Sequence, residues 1–170
     1  MPMRKASLIL LCGLILAPGA LAAARVAGAA GDGVLELRNV NAAKANIYAK
    51  GAIWGQLDQG QVKVTDFIPD DNLTAQVSGW EQRRPSLTEP GVTVYSGKNI
   101  HFRFTGGRYI KFNIVGSGID VTAVGVGRAY LLGDPDWYDD GDFAVDNGKW
   151  QAVPVTPKTI PFGTQPLSVP

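Results

Sequence analysis

The sequence predicts an all-β protein: a single β-sandwich or barrel-like domain of about ten short antiparallel strands, with no helix in the mature chain. Three observations carry that expectation. Short runs of β-branched and aromatic residues recur from Val34 to Val153, each bounded by Gly, Asp, Asn or Pro. No segment beyond the N-terminus holds an apolar i, i+3, i+4, i+7 stripe long enough for a helix. At 170 residues and 45% hydrophobic, the chain suits one domain with a core of its own.

The first element is an export signal. Arg4 and Lys5 supply a positive start, Ala6–Ala17 is uncharged, Pro18 and Gly19 break the run, and Ala20, Leu21, Ala22, Ala23 and Ala24 offer a small-residue cleavage site. The uncharged run is 12 residues, Ala6 to Ala17, against about 20 for a membrane span. Residues 1–22 are therefore assigned as a signal peptide cut after Ala22, with Ala24 as the second choice. This implies a secreted or cell-envelope protein. Leu11 before Cys12 is not the small residue a lipoprotein signal requires.

Removing the signal takes away the only Cys, so the mature chain is disulfide-free. It also takes Arg4 and Lys5 from the 16 basic residues, leaving 14 against 15 acidic ones and a net charge of −1. That balance, with no basic stripe, excludes a general nucleic-acid binder. One His and no Cys exclude a His/Cys metal cluster or a dithiol site.

Residues 23–33 read as a flexible lead-in rich in Ala and Gly, and residues 34–153 as the β domain. Strands are expected at 34–40, 45–50, 52–57, 61–67, 73–77, 92–95, 99–105, 109–115, 119–132, 143–146 and 149–153. The breaks fall at turn formers such as Gly51, Gly60, Pro69, Pro90, Gly97, Gly133 and Gly148. Within this set, Ile100, Phe102 and Phe104 share one face, as do Ile110, Phe112 and Ile114. A three-residue loop of Gly106, Gly107 and Arg108 would put Phe104 opposite Ile110 and Phe102 opposite Phe112, so a bulged hairpin is expected there. It would also set Arg103 against Lys111. Residues 154–170 hold five prolines in 17 residues, which suits an edge-hugging or extended tail.

The densest chemistry is Asp134, Asp136, Asp139, Asp140 and Asp142 around Trp137 and Tyr138. Carboxylates so crowded are the hard oxygen ligands Ca²⁺ takes, although the spacing departs from the EF-hand loop and lacks its Glu; a solvated acidic turn is the alternative. Trp137 and Tyr138 are the candidate contacts for a sugar or other small ligand. Trp54, in a strand, reads as core. Gly116–Gly118 and Gly125–Gly127 lack the third glycine and following helix of a nucleotide loop, and read as places where a strand bends. His101 lies on a polar strand face with no nucleophile elbow near it, so no catalytic residue is nominated.

The strings Gly107–Phe112, Val115–Gly127, Asp140–Trp150 and Ala52–Val64 resemble secreted bacterial all-β proteins that have no assigned activity. The resemblance implies an exported β domain and brings with it no assigned substrate, cofactor or catalytic residue; the expectation is no cofactor, with Ca²⁺ at the acidic loop as the exception. The expectation is thus an exported, non-enzymatic structural or interaction domain whose partner is an envelope component or a glycan. A carbohydrate- or small-ligand-binding module using loop 134–142 is the alternative, and a hydrolase built on two opposed carboxylates the weaker one.

Overall fold

The computed structural model describes residues 32–69, 72–134, 136 and 140–163. The assigned signal, residues 1–22, and the lead-in as far as residue 31 lie outside them. Six strands follow in chain order: β1 Gly33–Asp66, β2 Gln76–Pro85, β3 Val92–Gly133, β4 Asp142–Val145, β5 Gln151–Ala152 and β6 Lys158–Phe162. Every pairing is antiparallel, and the described residues contain no helix. None of them therefore forms a helix long and apolar enough to cross a membrane.

β1 and β3 are 34 and 42 residues long, several times the ordinary strand. The separate runs expected from Val34 to Asp66 are thus one strand, and so are those from Val92 to Leu132. The glycines expected to end strands instead let a strand turn a corner. Gly51 (φ 139°) lies opposite Gly125 (φ 135°), and Gly60 (φ 145°) lies opposite Gly116 (φ 147°). Only glycine enters that region at low cost. A Cβ on Gly51 would stand 2.1 Å from the Val124 carbonyl oxygen, and one on Gly116 would stand 2.1 Å from that of Gln59. Both strands crease at the same level, so the ladder continues from Lys50↔Val126 to Ala52↔Val124.

The creases let stretches of β1 and β3 pair with each other along both edges. Residues 121–125 have Gly33–Leu37 on one side and residues 51–55 on the other, while residues 110–113 have 46–49 on one side and 63–66 on the other. Following neighbours outward gives two series. One runs β5, β4, the start of β1, 121–125, 51–55, 102–106 and the start of β2. The other runs β6, 127–131, 45–50, 109–114, 61–65, 92–96 and the end of β2.

The bulged hairpin at Gly106–Arg108 does not form. Phe104 pairs with Ile53 and Ile110 with Ala49, so the chain leaves one series at Gly106 and enters the other at Tyr109. A local hairpin would cost less loop entropy, but here each half gains a longer partner in β1. Phe102 and Phe112 still meet, with ring centroids 5.0 Å apart, as inward residues of the two different series. Arg103 faces Trp54 and Gln76, not Lys111.

The alternation itself is as the sequence implies. Ile100, Phe102, Phe104, Ile110, Phe112 and Ile114 are all buried, in one core cluster with Leu35, Ile47, Ile53 and Leu131. Trp54 departs from expectation: Ile53 and Leu57 take the inward positions, and period-2 geometry leaves Trp54 half-buried on the outside. β2 was anticipated only at Gln76 and Val77. Its later residues, Glu81 to Arg84, are exposed and carry no apolar alternation, so pairing with β3 rather than burial sustains them. β6 lies in the proline-rich segment, with Pro161 at the edge opposite Arg128 and with Ile160 and Phe162 buried.

Candidate functional site: a cationic tyrosine groove

In the second series, the outward residues of neighbouring segments converge. Lys44, Asn46, Tyr48 and Lys50 alternate with the buried Ala45, Ile47 and Ala49. Tyr48 sits between Lys111 and Arg128, and Asn46 between Asn113 and Tyr130. β6 adds Thr159 beside Tyr130. The resulting groove holds about 550 Å³ and is lined by Lys44, Tyr48, Lys111, Arg128 and Tyr130, with Asn46, Phe67 and Thr159 completing it. No carboxylate stands among these lining residues.

The aromatic rings support the cations. Tyr48 stacks on Tyr109 at 4.8 Å with planes 4° apart, and Phe67 meets its edge at 5.7 Å. The Arg128 guanidinium lies 5.5 Å from the Tyr48 ring centre, and the Lys44 ammonium 5.3 Å from that of Tyr130. Contacts of this kind contribute about 0.5–1 kcal/mol at exposed sites and hold long side chains upright. Burial and the neighbouring Tyr109 push the Tyr48 hydroxyl above its ordinary pKa, with Arg128 opposing them. Below them, the Oδ1 atoms of Asn46 and Asn113 are buried with no hydrogen-bond partner among the described residues.

An ion pair fixes the groove's rim. Arg108 bridges both carboxylate oxygens of Asp66, the Nη2–Oδ2 distance being 2.9 Å, and also donates to the Leu73 carbonyl. Asp66 Oδ1 accepts the Ile68 amide at 2.9 Å. These bonds fix the chain on either side of Phe67, at Asp66 and at Ile68. Hydrogen bonding from Arg108 holds the Asp66 carboxyl below its ordinary pKa, against the opposing effect of burial.

Known protein families, curated proteins and solved structures were all compared with the chain, and none matches.

The residues nominated from sequence lie elsewhere. Trp137, Tyr138 and Asp139 fall outside the described residues. Asp134 Oδ1 accepts the Asp136 amide at 3.1 Å, an Asx turn. Asp140 is buried beside Gly133, and its carbonyl accepts the Asn41 amide at 3.2 Å. Asp142 opens β4 opposite Arg38. Among the described residues, no three His, Cys, Asp or Glu side chains stand close enough to hold a metal ion. His101 is exposed and lines a shallower hollow with Trp54, Gln56 and Asp120. There Asp120 accepts the Asn39 amide at 2.8 Å and the Gln56 amide at 3.2 Å, so its oxygens hold the fold together.

Of the groove residues, sequence patterning draws attention to Lys111, as the cation expected opposite Arg103. The available signal was the repeated outward pattern of Lys44-x-Asn46-x-Tyr48, Tyr109-x-Lys111-x-Asn113 and Arg128-x-Tyr130. Three segments of β1 and β3 share one polar vocabulary, but only the pairing shows that they are neighbours.

Proposed function

We propose that this chain is an exported, non-enzymatic β domain, secreted or held in the cell envelope, that binds an anionic envelope component through the cationic tyrosine groove. The export part rests on residues 1–22. In this reading the two pairing series pack face to face as a sandwich, with Phe102 against Phe112 between them. The observation that carries the binding role is the grouping of Lys44, Lys111 and Arg128 along one groove with no carboxylate in its lining. A chain of nearly balanced charge gains nothing in stability from gathering like charges, whereas a negative ligand would offset their repulsion. The lining also lacks a histidine or carboxylate to serve as general base, which favours binding over catalysis.

The test is solution binding to polyacrylate, a polyanion without hydroxyl groups. Wild type is expected to bind at low ionic strength and to release as salt screens the charges. Lys111→Glu combined with Arg128→Glu swaps two attractions for repulsions and is expected to weaken binding at least about tenfold, ~1.4 kcal/mol. Equal affinity in wild type and variant, with unchanged thermal unfolding, overturns the reading.

A further inference from the structure

We infer that the ligand of this groove is an acidic saccharide chain, bearing carboxylates and free hydroxyls together; the inference rests on the anionic-ligand reading above and narrows it. Charge supplies the first half. Lys111 and Arg128 flank Tyr48 on its two neighbouring segments, so two strand spacings, about 10 Å, separate them. That separation suits charges spaced along an oligomer better than one small anion.

The groove floor supplies the second half. Asn46 lines the groove with an amide that can both donate and accept, and Tyr130 and Thr159 line it with hydroxyls. A bare polyanion brings only acceptors to these groups, while a sugar hydroxyl pairs with both donors and acceptors. Tyr48, meanwhile, already stacks on Tyr109 and lies under Arg128. Its ring is therefore engaged, and ring stacking on a neutral sugar is not what the site is arranged to do. Hydroxyls for the Asn46 amide and carboxylates for the cations occur together in uronic-acid chains.

The experiment is titration calorimetry of the full chain with trimers of galacturonate, glucuronate and mannuronate, their methyl esters, and an acrylate trimer of equal charge. At least one uronate is expected to bind about tenfold or more tightly than its own methyl ester and than the acrylate. Asn46→Leu, close in shape but without the acceptor, is expected to weaken uronate binding about fivefold, leave acrylate binding unchanged, and not lower the thermal midpoint. Should that variant fail to fold, Thr159→Val, also in the groove lining, serves in its place. Acrylate binding as tightly as every uronate, with Asn46→Leu silent, overturns the saccharide inference and leaves the anion-binding groove standing. Methyl esters binding as well as the acids overturn it too. Failure of uronates, acrylate trimer and polyacrylate alike removes both readings.

Discussion

Gly51→Ala is expected to lower the free energy of unfolding by about 3 kcal/mol or more, enough to remove much of a small domain's stability. Gly51 holds φ 139°, and an added methyl carbon would lie 2.1 Å from the Val124 carbonyl oxygen and 3.1 Å from the Gly125 Cα. Both obstacles are backbone, so no side chain can swing aside. Gly125 faces the same collision with the Lys50 carbonyl oxygen, also at 2.1 Å. Relief would require the two strands to part at the crease, which breaks the ladder there. Gly107→Ala is the matched control, since nothing lies within 4 Å of a Cβ at that position; its effect should stay within about 0.5 kcal/mol. Urea midpoints followed by circular dichroism measure both. Similar midpoints for the two variants would show that the crease does not depend on glycine.

Asp66→Asn is expected to cost about 1–3 kcal/mol, because it replaces charge-assisted hydrogen bonds from Arg108 with weaker neutral ones. The side chains of Arg108 and Asp66 are only 9% and 10% exposed, so the discount for a surface pair does not apply. The pair also sets a pH dependence. Asp66 is more acidic in the folded protein than in the unfolded chain, first because of its hydrogen bonds from Arg108. Its stabilisation is therefore complete above the ordinary carboxylate pKa and declines as the pH falls through the folded value, where the unfolded chain takes up the proton first. Urea midpoints measured from about pH 6 down to pH 2 should fall more steeply for wild type than for Asp66→Asn. Parallel slopes would assign the acid sensitivity to other carboxylates. Phe67 lies beside this pair, so the same variant should also weaken ligand binding in the groove.

The inward faces of these strands were legible because period-2 alternation is a local property: Ile110, Phe112 and Ile114 declare their side within five residues. Partnership is not local. Nothing in Asn99–Thr105 says that its neighbour is residues 51–57 rather than residues 109–115, and the nearer partner was the wrong one. The glycines carried a double meaning for the same reason. Gly51 between two strands and Gly51 inside a creased strand read alike until Gly125 is seen opposite it. The acidic loop stands out because its charges are adjacent in sequence. The groove does not, because its cations stand at 44, 111 and 128 and become neighbours only through the ladder.

The interleaving of β1 and β3 has a consequence in time. Gly33 closes on Gly125, and Ala42 on both Gly116 and Gly133. While the chain is being made, β1 therefore emerges with none of its β3 partners, and it cannot complete its ladder until residue 133 has appeared. Contacts so distant in sequence place folding toward the slow, millisecond-to-second end of the range for small domains. A 34-residue strand with no partner over that interval is open to mispairing. Lys44, Lys50 and Lys63, spaced along its polar face, are the kind of charged residue that discourages strands from joining edge to edge. Lys44, which lines the finished groove, thus also guards the strand that waits longest for its partners.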